Sequence, residues 1–163
     1  MGNAYSNYKI IDVTPTLDTS EYADGDALFN KHEIPNAVIG KGGCAELINV
    51  TVNSKKASAT PMEIIIMQSN QSMESANTAM NITAVEGTAA NFCGWVDIPA
   101  DGCLDMGNYI IGMPVNESGA KPKLPFLVQA DAGSTSIFFT AIIGGTVTYA
   151  DGDLTFRFHF KQT

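Results

Sequence analysis

Leu154-Thr155-Phe156-Arg157-Phe158-His159-Phe160 alternates apolar and polar side chains without a break. In an extended chain successive side chains point to opposite faces, so Leu154, Phe156, Phe158 and Phe160 share one side and Thr155, Arg157 and His159 the other. That is a half-buried antiparallel strand. Before it stands Thr146-Val147-Thr148-Tyr149, and the joining Asp151-Gly152 can supply the positive φ angles of a tight hairpin turn. Earlier still, Ser136-Ile137-Phe138-Phe139-Thr140-Ala141-Ile142-Ile143 is β-branched and aromatic up to Gly144-Gly145. The pattern predicts that residues 136–161 form hairpin-linked strands of one sheet.

The rest of the chain reads the same way. Tyr8-Lys9-Ile10-Ile11-Asp12-Val13 is a strand that Thr14-Pro15 ends, because proline cannot donate to a ladder. Residues 16–26 are rich in turn formers, Ala27-Leu28-Phe29 resumes an apolar run, and the stretch reads as a connection that packs through Leu17, Tyr22, Leu28 and Phe29. The loop Gly40-Lys41-Gly42-Gly43 leads into a strand over residues 44–52, whose later half sets Ile48, Val50 and Val52 against Asn49, Thr51 and Asn53. Met62-Glu63-Ile64-Ile65-Ile66-Met67 is apolar apart from Glu63, as expected of a central strand buried on both faces. Met73, Ala76 and Met80 lie at helical spacings, which predicts a short helix or an ordered loop between Gln71 and Ala90. Residues 95–98, 109–113 and 126–129 add three short strands, for about nine or ten in all.

Composition agrees with a β-rich domain. The 163 residues are 45% hydrophobic and only 16% charged, against about 25% charged in an average soluble protein. A chain of this length buries roughly 70% of the surface its unfolded form exposes, so its core needs no staple. No repeat suggests a propeller or β-helix. The expectation is therefore an all-β fold: a two-sheet sandwich of jelly-roll or Greek-key type with one short helix or ordered loop. A single domain over residues 8–163 would follow an N-terminal arm of residues 1–7.

Charge and chemistry exclude several functions. Seventeen acidic residues against nine basic ones leave a net charge of −8, and nothing basic clusters beyond Lys55-Lys56, so nucleic-acid binding is not expected. No stretch approaches the ~18 consecutive apolar residues of a membrane helix, and no signal peptide opens the chain. Gly2 with Ser6 matches an N-myristoylation pattern only in outline. Asn49, Asn70, Asn81 and Asn116 head glycosylation sequons, which mean nothing about glycans without a secretory signal. Cys44, Cys93 and Cys103 are odd in number with no Cys-x-x-Cys spacing, so buried reduced thiols are expected, with a Cys93 to Cys103 bridge as the alternative.

His32 and His159 are the only histidines, and no Gly-x-Ser-x-Gly elbow anchors a nucleophile. The acidic residues read as turn carboxylates, which argues against a glycosidase pair. Asp24-Gly25-Asp26 and Asp151-Gly152-Asp153 offer too few ligands for calcium and suit turns. Gly40-Lys41-Gly42-Gly43 lacks the Gly-Lys-Ser/Thr ending of a phosphate loop. No catalytic residue, cofactor or metal is expected. Trp95, Tyr109 and Tyr149 could stack on sugars, but a lone Trp in a sandwich is more often core.

Asp12-Val13-Thr14-Pro15-Thr16-Leu17-Asp18-Thr19-Ser20-Glu21-Tyr22-Ala23-Asp24-Gly25-Asp26-Ala27-Leu28-Phe29 resembles small virion structural proteins of tailed bacteriophages. Gly42-Gly43 before an alternating strand, Ile64-Ile65-Ile66-Met67-Gln68-Ser69-Asn70 and the closing Gly145-Thr146-Val147-Thr148-Tyr149 are similar to that group in the same order. Cys44, Cys93 and Cys103 stand outside the resemblance. Some of those proteins are capsid decoration, or cement, proteins with jelly-roll-like domains. The resemblance implies a decoration protein made in the host cytoplasm and carried on the capsid exterior. Its partners would be the major capsid protein and further copies of itself, as a trimer. The alternative is a carbohydrate- or receptor-binding module of a tail fibre. The uncharged arm, with Tyr5 inside it and Tyr8 just beyond, is the candidate partner contact, since tyrosines bring contact area at little entropic cost.

Overall fold

The computed structural model describes residues 7–115 and 123–163. In chain order the described elements are β1 (Tyr8–Val13), β2 (Glu21–Tyr22), β3 (Ala27–Ile34), β4 (Cys44–Ser54), β5 (Met62–Met67) and α1 (Ala84–Ala90). After them come β6 (Phe92–Ile98), β7 (Cys103–Asp105), β8 (Ile110–Gly112), β9 (Phe126–Gln129), β10 (Ile137–Ile143), β11 (Val147–Thr148) and β12 (Leu154–Gln162). A six-stranded sheet runs β1-β12-β4-β8-β7, with β9 on the other half of the long β4. A four-stranded sheet runs β3-β10-β5-β6, and β11 pairs β2 separately. The fold is an all-β sandwich. Its pairings nest, since β1 takes β12, β3 takes β10, β4 takes β9 and β5 takes β6, all antiparallel.

The alternation in the last strand sets the core. Leu154, Phe156, Phe158 and Phe160 are fully buried, while β12 lies between β1 and β4 and so is also central in its sheet. Phe139 of β10 meets them from the opposite sheet, with ring centroids 5.2 Å from Phe156 and 4.8 Å from Phe158. Phe29 of β3 packs edge-on against Phe139 at 5.2 Å and against Phe156 at 5.7 Å. Edge-to-face rings suit the aromatic quadrupole and add to plain area burial. Tyr22 is equally buried, and its hydroxyl is satisfied by donating to the Leu28 carbonyl and accepting from the Asp18 amide.

The last third of the chain is not one sheet. β10 belongs to the four-stranded sheet, β11 pairs with β2, and β12 belongs to the six-stranded sheet. The turn expected at Asp151-Gly152 forms: Gly152 has φ +79°, and the Asp153 amide and carboxylate both bond Ala150. It is a corner between sheets rather than a hairpin. A period of two tells which side chains are buried, but both sheets bury into the same core, so the pattern cannot assign a strand to either.

Other expectations are corrected in detail. The connection through Leu28 and Phe29 is the eight-residue strand β3, although Leu17, Tyr22, Leu28 and Phe29 are all buried as expected. In β4 a bulge opposite His159 and Phe160 sets Ile48 out of phase, so Leu47, Val50 and Val52 share the core face. The short helix expected between Gln71 and Ala90 forms at Ala84–Ala90, at the end of that stretch and past the methionines whose spacing suggested it. Its start is written by a capping box, in which the Thr83 hydroxyl accepts from the Glu86 amide and the Glu86 carboxylate accepts from the Thr83 amide. Met73 instead joins Met67 and Ala90 in a small second core, packed against Ile65, Ile82 and Phe138. The Asn30 side chain clamps the Met73 backbone there with two hydrogen bonds.

Candidate functional site

Two surfaces outside the core carry the side chains that could meet a partner. The first is a groove on the outer face of the four-stranded sheet. Ile64 and Val96, paired across β5 and β6, point inward and are buried. Their neighbours Ile65 and Trp95, also a pair, therefore point outward. Trp95 is half-buried in a groove of about 410 Å³ with Glu63, Ile65, Phe92, Cys93 and Gly94. It is not core, contrary to the expectation for a lone Trp. A bulge between Gly94 and Phe92 re-aims the start of β6, and Phe92 lies beneath Gly87 of α1, where a Cβ would stand 3.5 Å from its ring. A second depression of about 400 Å³ continues past Phe92 and Cys93 to Leu127 and Gln129.

At the other end Glu63 and Asp97 are direct partners across β5 and β6. These carboxylates stand on strands rather than in turns, which corrects the sequence reading. Both line a depression with Asp24, Pro61 and Gly144. The groove sets an aromatic floor of Trp95 and Phe92 beside the Glu63 carboxylate. Burial pushes the Cys93 thiol up, away from a reactive thiolate.

The second surface is the outer face of the six-stranded sheet. Register aligns Tyr8, Lys161, Glu46 and Leu127 in one row, Ile10, His159 and Asn49 in the next, and Asp12, Arg157 and Thr51 in a third. Tyr8 is 64% exposed, Ile10 59% and Leu127 62%. Arg157 donates from Nε and Nη2 to the two Asp12 oxygens at 2.7 and 2.8 Å, which holds the Asp12 carboxyl below its ordinary range. Lys161 reaches Glu46 at 3.4 Å. His159 Nε2 is buried without a hydrogen-bond partner among the described residues.

Of the candidate arm, Tyr5 lies outside the described residues. Asn7 is already tied to β12, its carbonyl accepting from the Gln162 amide, and Tyr8 is the first residue of β1 with its ring on the outer face. Cys44, Cys93 and Cys103 are free and half-buried, so the Cys93 to Cys103 bridge is not made. Cys103 sits by Gly112 and Cys93 beside Gln129, so the strands that carry them keep them apart. His32 packs on Phe29 and Phe139 while His159 lies on the other sheet, so the histidines do not converge. Asp26 accepts from the Ala23 amide and Asp153 from the Ala150 amide, turn roles for both Asp-Gly-Asp segments. Among the described residues no three His, Cys, Asp or Glu side chains gather as metal ligands, and no helix is long and apolar enough to cross a membrane.

Tyr149, buried near Thr60 between the sheets, has its hydroxyl pushed up to about 12 by that burial. It serves the core rather than a sugar site. No protein-family model, curated protein or solved structure matches the chain.

Proposed function

We propose that the protein is a non-catalytic virion component of a tailed bacteriophage, a decoration protein on the capsid exterior that binds the major capsid protein lattice and stabilises it. The observation that carries this reading is the strand order. The four pairs β1–β12, β3–β10, β4–β9 and β5–β6 are nested one inside another across the two sheets, which supports a jelly-roll reading of the sandwich. That is the architecture the virion resemblance implies. The outer face of the six-stranded sheet suits the role, because Tyr8, Ile10 and Leu127 stand exposed among paired charges. A lattice that repeats its site on the order of hundreds of times needs only modest affinity per copy, and a homo-oligomer adds avidity.

Copy number tests this directly. A stained gel of purified virions is expected to show the protein at hundreds of copies, in ratio to the major capsid protein. A few dozen copies or fewer, or loss of the protein with the tails, would remove it from the capsid.

The second reading is a carbohydrate- or receptor-binding module of a tail fibre, and Trp95 favours it. A half-exposed indole in an open groove beside Glu63 is a stacking platform for a saccharide chain. Trp95 is the only tryptophan, so quenching of its fluorescence by host-surface polysaccharide is a clean readout. That quenching, abolished in Glu63→Ala, supports the module; unchanged fluorescence at saturating polysaccharide dismisses it.

A further inference from the structure

We infer that β1 is a docking edge for a second copy of this chain, joining the two six-stranded sheets across a two-fold axis at Ile10. The backbone decides which groups are free. The Gln162 amide donates to the Asn7 carbonyl at 2.8 Å, and β1 follows β12 with no shift of register. In an antiparallel ladder, bonded and non-bonded pairs alternate. Lys9, Ile11 and Val13 therefore turn their amides and carbonyls toward β12, and Tyr8, Ile10 and Asp12 turn theirs away from it. Those outward groups meet no partner among the described residues.

The other sheet edges are blunted as isolated proteins usually blunt them. β7 and β9 are only three and four residues long, β3 carries two register irregularities, and β6 has its bulge, with Gly94 against the Phe126 ring. β1 alone is long and regular. Its inward-side lysine does not guard it either, because Lys9 Nζ is held by the Asn36 carbonyl at 2.9 Å.

The occupant follows from self-complementarity. Antiparallel pairing centred on Ile10 sets Ile10 against the partner's Ile10 and Tyr8 against the partner's Asp12. These are the outward residues, so three pairs can each exchange two backbone hydrogen bonds, and like faces of the two sheets stay together. Side chains then match along each row. Two isoleucines that are 59% exposed cover one another at the axis. On either side the tyrosine hydroxyl approaches a carboxylate already paired with Arg157, so no like charges oppose. A two-fold edge contact closes on itself as a dimer and cannot make the trimer expected from the virion resemblance. The inference stands whether or not the capsid reading does.

Sedimentation equilibrium of the full chain, alone and as Ile10→Lys, tests it. Two lysines would face each other at the axis, and the dimer dissociation constant is expected to rise roughly tenfold or more with the melting temperature unchanged. Ile10→Cys gives a second readout that needs no disruption. Bonded partners stand about 5.5 Å apart at Cα, within disulfide reach, so mild oxidation should produce covalent dimers. Leu127→Cys at the far edge should not produce them, nor should the wild type with its own three cysteines. A wild type that stays monomeric to millimolar concentration overturns the inference. So does a trimer, an oligomer indifferent to Ile10→Lys, or an Ile10→Cys chain that cross-links no more than Leu127→Cys. Should Ile10→Lys fail to fold, the cross-linking result decides alone.

Discussion

Replacing Phe139 with alanine removes the side chain through which the two sheets share a core. Its ring is fully buried and lies about 5 Å from three others, Phe29 on its own sheet and Phe156 and Phe158 on the facing one. Phe158 is stacked on both Phe156 and Phe160, and Phe29 packs edge-on against Phe156, so the neighbouring rings are already committed to other contacts. The loss is thus the transfer term plus most of a cavity term, about 3–5 kcal/mol for a buried Phe→Ala change. Set against the ~5–15 kcal/mol that holds an ordinary domain, this is a large share. At ~2–4 °C per kcal/mol for a chain of this size, the melting temperature should fall by roughly 6–20 °C. Urea unfolding followed by far-ultraviolet dichroism and by Trp95 fluorescence is the assay, with a lower midpoint and an unchanged slope expected from both probes. Leu127→Ala, at a position 62% exposed, is the control and should stay within about 0.5 kcal/mol of wild type. A Phe139→Ala loss under about 1 kcal/mol would refute the shared core.

Three further outcomes are expected. Ending the chain after Gly152 deletes β12, whose four fully buried side chains bring about 1.5–3 kcal/mol each, and it unpairs β1 and β4 as well. The product should show no cooperative melting, and a cooperative transition would mean that the core lies elsewhere. Gly43→Ala would place a Cβ against the Ile39 carbonyl oxygen, well inside van der Waals contact, so the loop before β4 must move. A loss of about 1–3 kcal/mol or more is expected in urea, and a neutral result contradicts the loop geometry. Burial against Phe29 and Phe139 lowers the His32 pKa, so the folded state prefers the neutral imidazole. Its contribution is complete above the ordinary value of about 6.5 and is lost as pH falls through the lowered folded value. Between pH 7 and 5 the wild type should therefore lose more stability than His32→Gln, and parallel pH profiles would show that His32 is not buried in this way.

The chain's own pattern determined what is inside. Alternation in residues 154–160 named all four core residues of β12, and Leu17, Tyr22, Leu28 and Phe29 were legible as buried even where their strand was not. Local sequence also contained the helix start, since Thr83 and Glu86 have the spacing of a capping box, a stronger signal than the methionine spacing upstream. What no local pattern could assign was the sheet to which each strand belongs. β10, β11 and β12 follow one another within a few residues yet enter three different sheets, because hydrophobic periodicity reports a buried face and is silent about which strand pairs alongside. The candidate surfaces depend on that pairing. Trp95 and Ile65, or Glu63 and Asp97, are about thirty residues apart and meet only through the β5–β6 register. The bulge that expels Ile48 is likewise set by how β12 fits its neighbour. Tyr8 was marked as a tyrosine just beyond an uncharged arm. That it stands on an unpaired edge, with Ile10 and Asp12 turned outward beside it, follows only from β12 occupying the other side of β1.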